Sequence, residues 1–215
     1  MLKKSLKFLF LLPIFVIALA HPALAEDEGL YDAVPPEGSA FVRFIHAEQG
    51  ASELVPKING RERDGVKFGG VKPYGVVAHG KVSVEMGSAT LDFDTEAKGY
   101  YTVILQNGTL RFVKDPALQD ELKAQIIVYN LTTRDDITLK TADGKVSVIG
   151  PVKAGEVMDR AVNPIKVSFA VYAGDQKYAD LSDWPLERQE SYVIAVVDDA
   201  GTGKAMYDRA RLSTE

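Results

Sequence analysis

Few side chains in this sequence are of the types that do chemistry, and their spacing limits what they could do. The chain has no cysteine, and beyond its N-terminal segment it has two distant histidines, His46 and His79. A zinc site needs three or four convergent ligands, usually Cys, His or carboxylate. We therefore predict that the protein has no metal site and no cofactor.

A serine nucleophile also lacks its usual sequence context. Such a nucleophile needs a neighbouring base and an acid that orients the base. The sequence contains no Gly-x-Ser-x-Gly motif, and it lacks the Gly-Asp-Ser and Asp-x-x-His patterns of many extracellular esterases and acetyltransferases. No catalytic residue is predicted, and we expect that the protein is not an enzyme.

Two further sequence patterns could bind a ligand, but a structural role explains each of them better. The stretch Asp198–Lys204 partly matches a phosphate-binding loop, but it lacks the first glycine and the hydroxyl residue that should follow the lysine. It predicts a hairpin turn. Asp92 and Asp94 could bind calcium, but they alternate along a predicted strand and so share one face, which we expect to be solvated.

Binding residues suit this sequence better than catalytic ones. Trp184 is the only tryptophan and lies in a predicted loop, Ser182–Pro185. Flat aromatic rings stack on sugars or anchor partner proteins, although a lone tryptophan can equally fill the end of a β-sandwich core. Arg43 is a charged residue in an apolar strand. It either pairs with an acid across the sheet or reaches a surface used by a partner.

The elements that must position these residues are β-strands. Apolar and polar residues alternate over Val82–Met86 and Leu91–Asp94, and over Tyr101–Gln106 with Ile104 as an exception, which is typical of strands with one face in a core. Only Asp115–Leu122 suggests otherwise, since Asp115 could cap a helix and Pro116 suits a first helical position. This stretch predicts a short helical turn or a linker. Turn dipeptides separate the strands: Asn59-Gly60, Gly69-Gly70, Asn107-Gly108, Asp143-Gly144 and Ala200-Gly201.

The strand pattern repeats across this stretch, which indicates an internal duplication. We expect an all-β fold of two tandem antiparallel β-sandwiches of six or seven strands each, joined by a short linker. The alternative is one continuous sandwich of the same length. The matching segments are Phe41–Ala47 with Ile126–Thr132 and Lys81–Val84 with Lys166–Phe169, both 85 positions apart, and Tyr101–Ile104 with Tyr192–Ala195, 91 positions apart.

The N-terminus predicts export. Lys3, Lys4 and Lys7 precede the apolar run Phe8–Ala20, and Ala23-Leu24-Ala25 forms a signal peptidase site. A membrane anchor is the alternative, but the run is short of the roughly 20 apolar residues that a span needs. We therefore predict a signal peptide over residues 1–25, domains over 26–116 and 117–215, and a periplasmic protein whose mature chain does not span the membrane.

The charge of the mature chain excludes some partners. Removing residues 1–25 takes away three lysines and no acids, which leaves 22 basic and 30 acidic residues and a net charge near −8. Nucleic acids and anionic membranes recruit Lys and Arg, so neither is an expected partner. With no cysteine, no disulfide stabilises the fold.

The segment Leu30–Arg43 carries a family resemblance. It contains Leu30-Tyr31, a proline pair, Gly38-Ser39 and a strand that begins Phe41-Val42-Arg43. This order closely resembles the start of the mature periplasmic accessory protein of alginate O-acetylation, the AlgF family. Elsewhere the resemblance is one of pattern. The stretch Val42–Ala47 also resembles the Val-Arg-x-x-His-Ala strand of a widespread extracellular β-sandwich domain.

The resemblance implies a function without catalysis. It implies a non-catalytic periplasmic adaptor that is required for O-acetylation of an exopolysaccharide, most simply alginate. The implied partners are a membrane-bound O-acyltransferase and periplasmic acetyltransferases of the same pathway, with weak contact to the polysaccharide left open. The family-like motif offers Tyr31, Pro36, Ser39 and Arg43 as partner-binding residues, and we add Trp184.

Two other function classes stay open. A carbohydrate-binding or envelope-structural β-sandwich would touch the polysaccharide directly, with Trp184 and the tyrosines as its platform. An acetyltransferase or esterase is the third class, and it has no sequence motif in its favour.

Overall fold

The structure is a computed structural model that describes residues 35–210 and 212, and eighteen β-strands run through these residues without a helix. No described segment could therefore span a membrane as a helix. The predicted signal peptide lies outside the described residues. The first ten strands are β1 (Ser39–His46), β2 (Glu53–Leu54), β3 (Lys57–Ile58), β4 (Arg61–Glu62), β5 (Val66–Lys67), β6 (Gly75–Ala78), β7 (Gly80–Met86), β8 (Ala89–Thr95), β9 (Tyr100–Gln106) and β10 (Thr109–Lys114). The other eight are β11 (Ala124–Leu131), β12 (Ile137–Thr141), β13 (Ser147–Val152), β14 (Val157–Val162), β15 (Lys166–Ala173), β16 (Gln176–Pro185), β17 (Ser191–Asp199) and β18 (Thr202–Arg209).

Each half of the chain forms a sandwich of two four-stranded sheets. The first half has sheets β10-β9-β1-β6 and β4-β3-β7-β8, with β2 and β5 paired beside them. The second half has β18-β17-β11-β14 and β13-β12-β15-β16. Strand for strand the two orders are the same, so the prediction of two tandem sandwiches is confirmed. The ladders are antiparallel except for two parallel pairs, β1 with β9 and β11 with β17.

The structure corrects the register of one predicted repeat. Val42 of β1 pairs with Tyr101, and Ile126 of β11 pairs with Tyr192. Val42 therefore corresponds to Ile126, 84 positions later, and the predicted spacing of 85 was wrong by one. A one-residue shift turns every side chain of a strand to the opposite face. Both strands are buried along their whole length, so neither has the alternation from which a register can be read.

The paired tyrosines Tyr101 and Tyr192 support the duplication directly. Both rings lie in the cores of their sandwiches. Each hydroxyl accepts a hydrogen bond from a backbone N–H five residues earlier, from Glu96 at 2.9 Å and from Glu187 at 2.9 Å. The Tyr192 hydroxyl also donates to the carbonyl of Pro185 at 3.0 Å. Each tyrosine thus fixes the loop before its strand, as a tyrosine corner does in other sandwiches.

A third core joins the two halves. The outer faces of the sheets that contain β1 and β11 pack against each other, which explains why these two strands are buried on both sides. The described residues consequently form one compact unit. The buried members of this junction core are Ile45, Ala47 and Ile104 from the first half and Ile127, Tyr129, Leu131, Val193, Ala195 and Val197 from the second.

The connection 115–123 is a linker without helical structure. Of the two predicted alternatives, the helical turn was wrong. The Asp115 N–H donates to the carbonyl of Tyr100 at 2.9 Å, which continues the pairing of β10 with β9 past Lys114. The carboxylate of Asp115 is buried, so it cannot cap a helix. The predicted division of the domains after residue 116 falls inside this connection and stays a prediction.

Replacing Tyr192 with Phe tests the tyrosine contact. We expect Tyr192→Phe to lower the free energy of unfolding by about 1 kcal/mol, because the Glu187 N–H and the Pro185 carbonyl lose their partner. Urea unfolding measures the change. Tyr100→Phe is the control, since that ring is 36 % exposed, and it should change the stability by less than about 0.5 kcal/mol. An equal loss in both variants would contradict this assignment.

Candidate functional site

The residues predicted to bind a partner do not form one surface. Tyr31 lies outside the described residues, and Pro36 is exposed in the turn before β1. Ser39 is buried, and its hydroxyl donates to the carbonyl of Pro36 at 2.7 Å. Arg43 is 0 % exposed and Trp184 is 4 % exposed. A partner therefore cannot touch Arg43 or Trp184 in the folded protein, and the expectation of a binding surface is corrected for these two.

Trp184 fills a core rather than a loop. Strand β16 runs through Pro185, and Trp184 pairs with Val167 of β15, so the loop prediction was wrong. Its ring packs at 4.0 Å from that of Tyr207 and at 5.0 Å from that of Tyr192, measured between ring centres. It also meets the edge of Phe169. Of the two roles left open by the sequence, the structure selects core packing.

Arg43 lies at the junction of the halves and pairs with an acid from the linker. Its side chain extends from the outer face of β1. The guanidinium donates through Nε to Thr102 Oγ1 at 2.7 Å and through Nη2 to Asp115 Oδ2 at 3.2 Å. Nη2 also donates to the hydroxyl of Tyr129 at 3.3 Å. Strands β1, β9 and β11 and the linker therefore meet at one charged group.

Asp115 is the acceptor that completes this group. Its Oδ2 accepts hydrogen bonds from the Tyr74 hydroxyl at 2.5 Å and from Thr102 Oγ1 at 2.6 Å, and its Oδ1 accepts one from Tyr129. The Arg43 and Asp115 side chains are 0 % and 1 % exposed. The guanidinium carbon also lies 4.4 Å from the centre of the Tyr74 ring, within the range of a cation–π contact.

Burial sets the protonation of this cluster. Burial alone would lower the pKa of Arg43, but the charge of Asp115, followed by Tyr74 and Tyr129, raises it above the ordinary value. Burial raises the pKa of both tyrosines. The cluster thus holds a permanent cation and neutral tyrosine donors. Such groups do not exchange protons near neutral pH, so we assign the cluster a role in holding the two halves together rather than in acid–base chemistry.

The two histidines have separate surroundings. His46 is buried at the end of β1, where its Nδ1 accepts from the Glu48 N–H at 3.1 Å and its Nε2 lies 3.1 Å from the Ala51 carbonyl. This pattern fits a neutral ring with the proton on Nε2. His79 is exposed, and its Nδ1 contacts the Gly38 carbonyl at 2.6 Å. Within the described residues no group of three His, Cys, Asp or Glu side chains could hold a metal ion.

The two acidic patterns singled out in the sequence are structural. Asp198–Lys204 is the hairpin between β17 and β18, as predicted. Asp198 accepts from the Thr133 N–H and hydroxyl at 2.8 and 2.9 Å and from the Tyr178 hydroxyl. Burial would raise the pKa of Asp198, but these hydrogen bonds and the nearby Arg134 charge lower it. Asp92 and Asp94 are on the exposed face of β8, also as predicted.

Sequence reasoning missed the partners of Arg43. A charge buried in an apolar strand requires an acid and further hydrogen bonds. That rule pointed to an acid in general, but Asp115 lies 72 positions from Arg43 and was expected to cap a helix. Tyr74, Thr102 and Tyr129 come from three other segments. The sheet β10-β9-β1-β6 and its extensions bring Arg43, Thr102, Tyr74 and Asp115 together, and packing at the junction adds Tyr129.

Comparison with known proteins identifies the family. The family model described as "Alginate O-acetyl transferase AlgF" matches residues 15–193. The alginate biosynthesis protein AlgF of Azotobacter vinelandii is 36 % identical over 178 residues, which cover 82 % of this chain and 80 % of that protein. The chain belongs to the AlgF family. The Pseudomonas aeruginosa member is 33 % identical over 183 residues, which cover 85 % of this chain and 83 % of that protein.

Solved structures of the AlgF family are also similar. The C-terminal domain of AlgF from P. aeruginosa matches with a TM-score of 0.38 and 35 % identity, covering 41 % of this chain and 98 % of that one. The N-terminal domain of the same protein matches with a TM-score of 0.34 and 27 % identity, covering 39 % of this chain and 100 % of that one.

Removing the charge of Arg43 tests the junction. We expect Arg43→Met to lower the free energy of unfolding by about 3–5 kcal/mol, because it leaves the Asp115 carboxylate buried without a cation. Adding Asp115→Asn should restore about 1–3 kcal/mol, since the uncompensated charge is then gone. Urea unfolding of the single and double variants measures this coupling.

An exposed ion pair supplies the control for this cycle. Lys114 pairs with Glu96 at 2.7 Å, but the two side chains are 53 % and 74 % exposed. Lys114→Met should leave the stability unchanged within error, as is usual for exposed pairs. Purely additive effects of the Arg43 and Asp115 substitutions would contradict the assigned coupling.

His46 should make the stability depend on pH. Burial is the main reason that the pKa of His46 lies below its ordinary value, so the unfolded chain takes up a proton at a higher pH than the folded protein. The stability that the protein gains from keeping this ring neutral is therefore complete above about pH 6.5, and it is lost as the pH falls below that value. We expect His46→Gln to flatten the fall in unfolding free energy between neutral and mildly acidic pH, measured by urea unfolding over that range. An unchanged slope in His46→Gln would refute the assignment.

Proposed function

We propose that this member of the AlgF family is a non-catalytic periplasmic adaptor required for O-acetylation of alginate. In this role it links a membrane-bound O-acyltransferase to periplasmic acetyltransferases that modify the polymer. The relatives named above are alginate biosynthesis proteins, and the family description places O-acetyl transfer in the same process. Export through the predicted signal peptide would bring the chain to the compartment where these partners act.

The observation that carries the adaptor proposal is the junction between the sandwiches. An adaptor has to hold two partners at a defined distance, and a rigid body does so at a lower entropic cost than two domains on a flexible linker. Here a core of nine buried side chains, together with the hydrogen bonds of Tyr129 to Arg43 and Asp115, fixes one sandwich on the other. Two binding surfaces on this body would keep a constant separation.

The proposal that the chain lacks catalysis rests on how its reactive groups are used. The chain has no cysteine. His46 is buried with both ring nitrogens engaged, so it has no free nitrogen for a serine or a substrate. Arg43 and Asp115 are committed to each other. A direct test is hydrolysis of a chromogenic acetyl ester by the purified protein, for which we expect no activity above the buffer rate.

The carbohydrate-binding alternative depended mainly on Trp184, which is buried. Its platform was to be Trp184 together with exposed tyrosines, but Trp184 packs under Tyr192 and Tyr207. Stacking on a sugar requires an exposed ring face. We therefore keep direct polymer binding as an outcome of experiment rather than as a second proposal.

Deleting the gene tests the adaptor proposal. We expect the O-acetyl ester content of the secreted alginate to fall to the background level while the polymer is still made, because the acetyltransferases lose their connection to the acyl donor. A chemical assay of ester per uronate, with total uronate as the control, measures both quantities. Complementation with the full chain should restore acetylation. Unchanged acetylation in the deletion strain would refute the proposal.

A further inference from the structure

Each sandwich has a groove at the same open edge. In the first half the groove lies between β4 and β6, with a volume of about 330 Å³. In the second half it lies between β13 and β14, with a volume of about 340 Å³. Strands β4 and β13 occupy equivalent positions in the two halves, and so do β6 and β14. The two grooves are therefore repeats of one feature.

The grooves are basic in an acidic protein. The chain has a net charge of −5, yet the charged residues lining the first groove are Arg61 and Arg63, and those lining the second are Lys123 and Arg160. No described lining residue of either groove is Asp or Glu. Lys123 lies 3.8 Å from the exposed Asp120. Exposed ion pairs are weak, so this pair leaves the positive charge of Lys123 available to a ligand.

The arginines of the grooves have unused donors. Arg63 Nε is buried and has no hydrogen-bond partner among the described residues. Arg160 donates through Nη1 to the carbonyl of Val148 at 2.7 Å, which holds the guanidinium in the groove without neutralising it. Both sites fit carboxylates.

The backbone around the grooves also has free groups. Strands β4, β6, β13 and β14 are the last strands of their sheets, so one side of each has no strand partner in the described structure, and only Tyr74, directly before β6, forms a single parallel bridge with Leu212. An extended peptide can pair with such an edge. Charged side chains often protect an edge from unwanted pairing. Protection alone would place them in solvent, whereas Arg63 is only partly exposed.

From these observations we infer that each groove binds an extended acidic segment of a partner protein, with one segment on each sandwich. This inference rests on the proposed adaptor function and gives its two binding surfaces. The backbone of the segment would pair with the sheet edge, and its Asp or Glu side chains would meet the basic residues. Charge favours a short segment over the polymer, because a polyuronate carries a charge on every sugar and the protein as a whole repels it.

Titration calorimetry with a synthetic acidic peptide tests the inference. The probe alternates Glu with Thr, and we expect two peptides to bind per protein at low salt. Arg61→Gln with Arg63→Gln should remove one site, and Lys123→Gln with Arg160→Gln the other. Combining all four should weaken binding at least about tenfold, since charge-assisted hydrogen bonds are lost. Arg188→Gln with Lys153→Gln is the control, because both residues are exposed and outside the grooves.

Three outcomes would overturn the inference. The first is an equal loss of affinity in the control variant, which would mean general electrostatics. The second is binding of a mannuronate oligomer, in preference to the peptide, that the groove substitutions abolish, which would assign the grooves to the polymer. The third is full acetylation in a deletion strain complemented with the fourfold variant. In that case the adaptor proposal would stand without the grooves, whereas its own failure appears as unchanged acetylation in the deletion strain.

Discussion

The buried guanidinium of Arg43 is the constraint on which the arrangement of the halves depends. Removing a cation from water costs several kcal/mol, and only a well-placed anion with further hydrogen bonds offsets that cost. Asp115 supplies the anion, while Thr102, Tyr74 and Tyr129 supply the hydrogen bonds. Because Asp115 must reach Arg43, the linker continues the β10 pairing instead of forming a helix. Because Tyr129 takes part, the second sandwich is fixed on the first.

Comparison of the two repeats shows that this cluster occurs in only one of them. With the repeat in its correct register, Arg43 corresponds to Ile127, and its neighbour Thr102 corresponds to Val193. The outer face is therefore polar at this point in the first copy and apolar in the second. An apolar pair on both faces would pack without preference for register. A charge that is satisfied in one position selects a single arrangement, a role attested for buried polar groups in other proteins.

Much of the fold could be predicted from the sequence, and the failures share one cause. Strands β7 and β8 have one solvated face, so their alternation indicated both the strand and the direction of each side chain. Strands β1 and β11 are buried on both faces, so they have no alternation, and the repeat register was wrong by one. Arg43 and Trp184 were offered as partner-binding residues, with burial left open, because the side chains that cover them come from other strands. Local pattern indicates a strand, but it does not indicate what packs over it.

The junction also limits where recognition can take place. It uses the outer faces of the sheets that contain β1 and β11, so these faces are closed to a partner. What is left in each half is the outer face of the other sheet and the open edges. On β8 the outer face carries Asp92 and Asp94, and Asp92 pairs with Lys81 of β7, so this face is solvated and of mixed charge. The basic edge grooves differ from it in charge and in shape. Fusion of the two sandwiches thus leaves a pair of equivalent edges as the surfaces best suited to bind another chain.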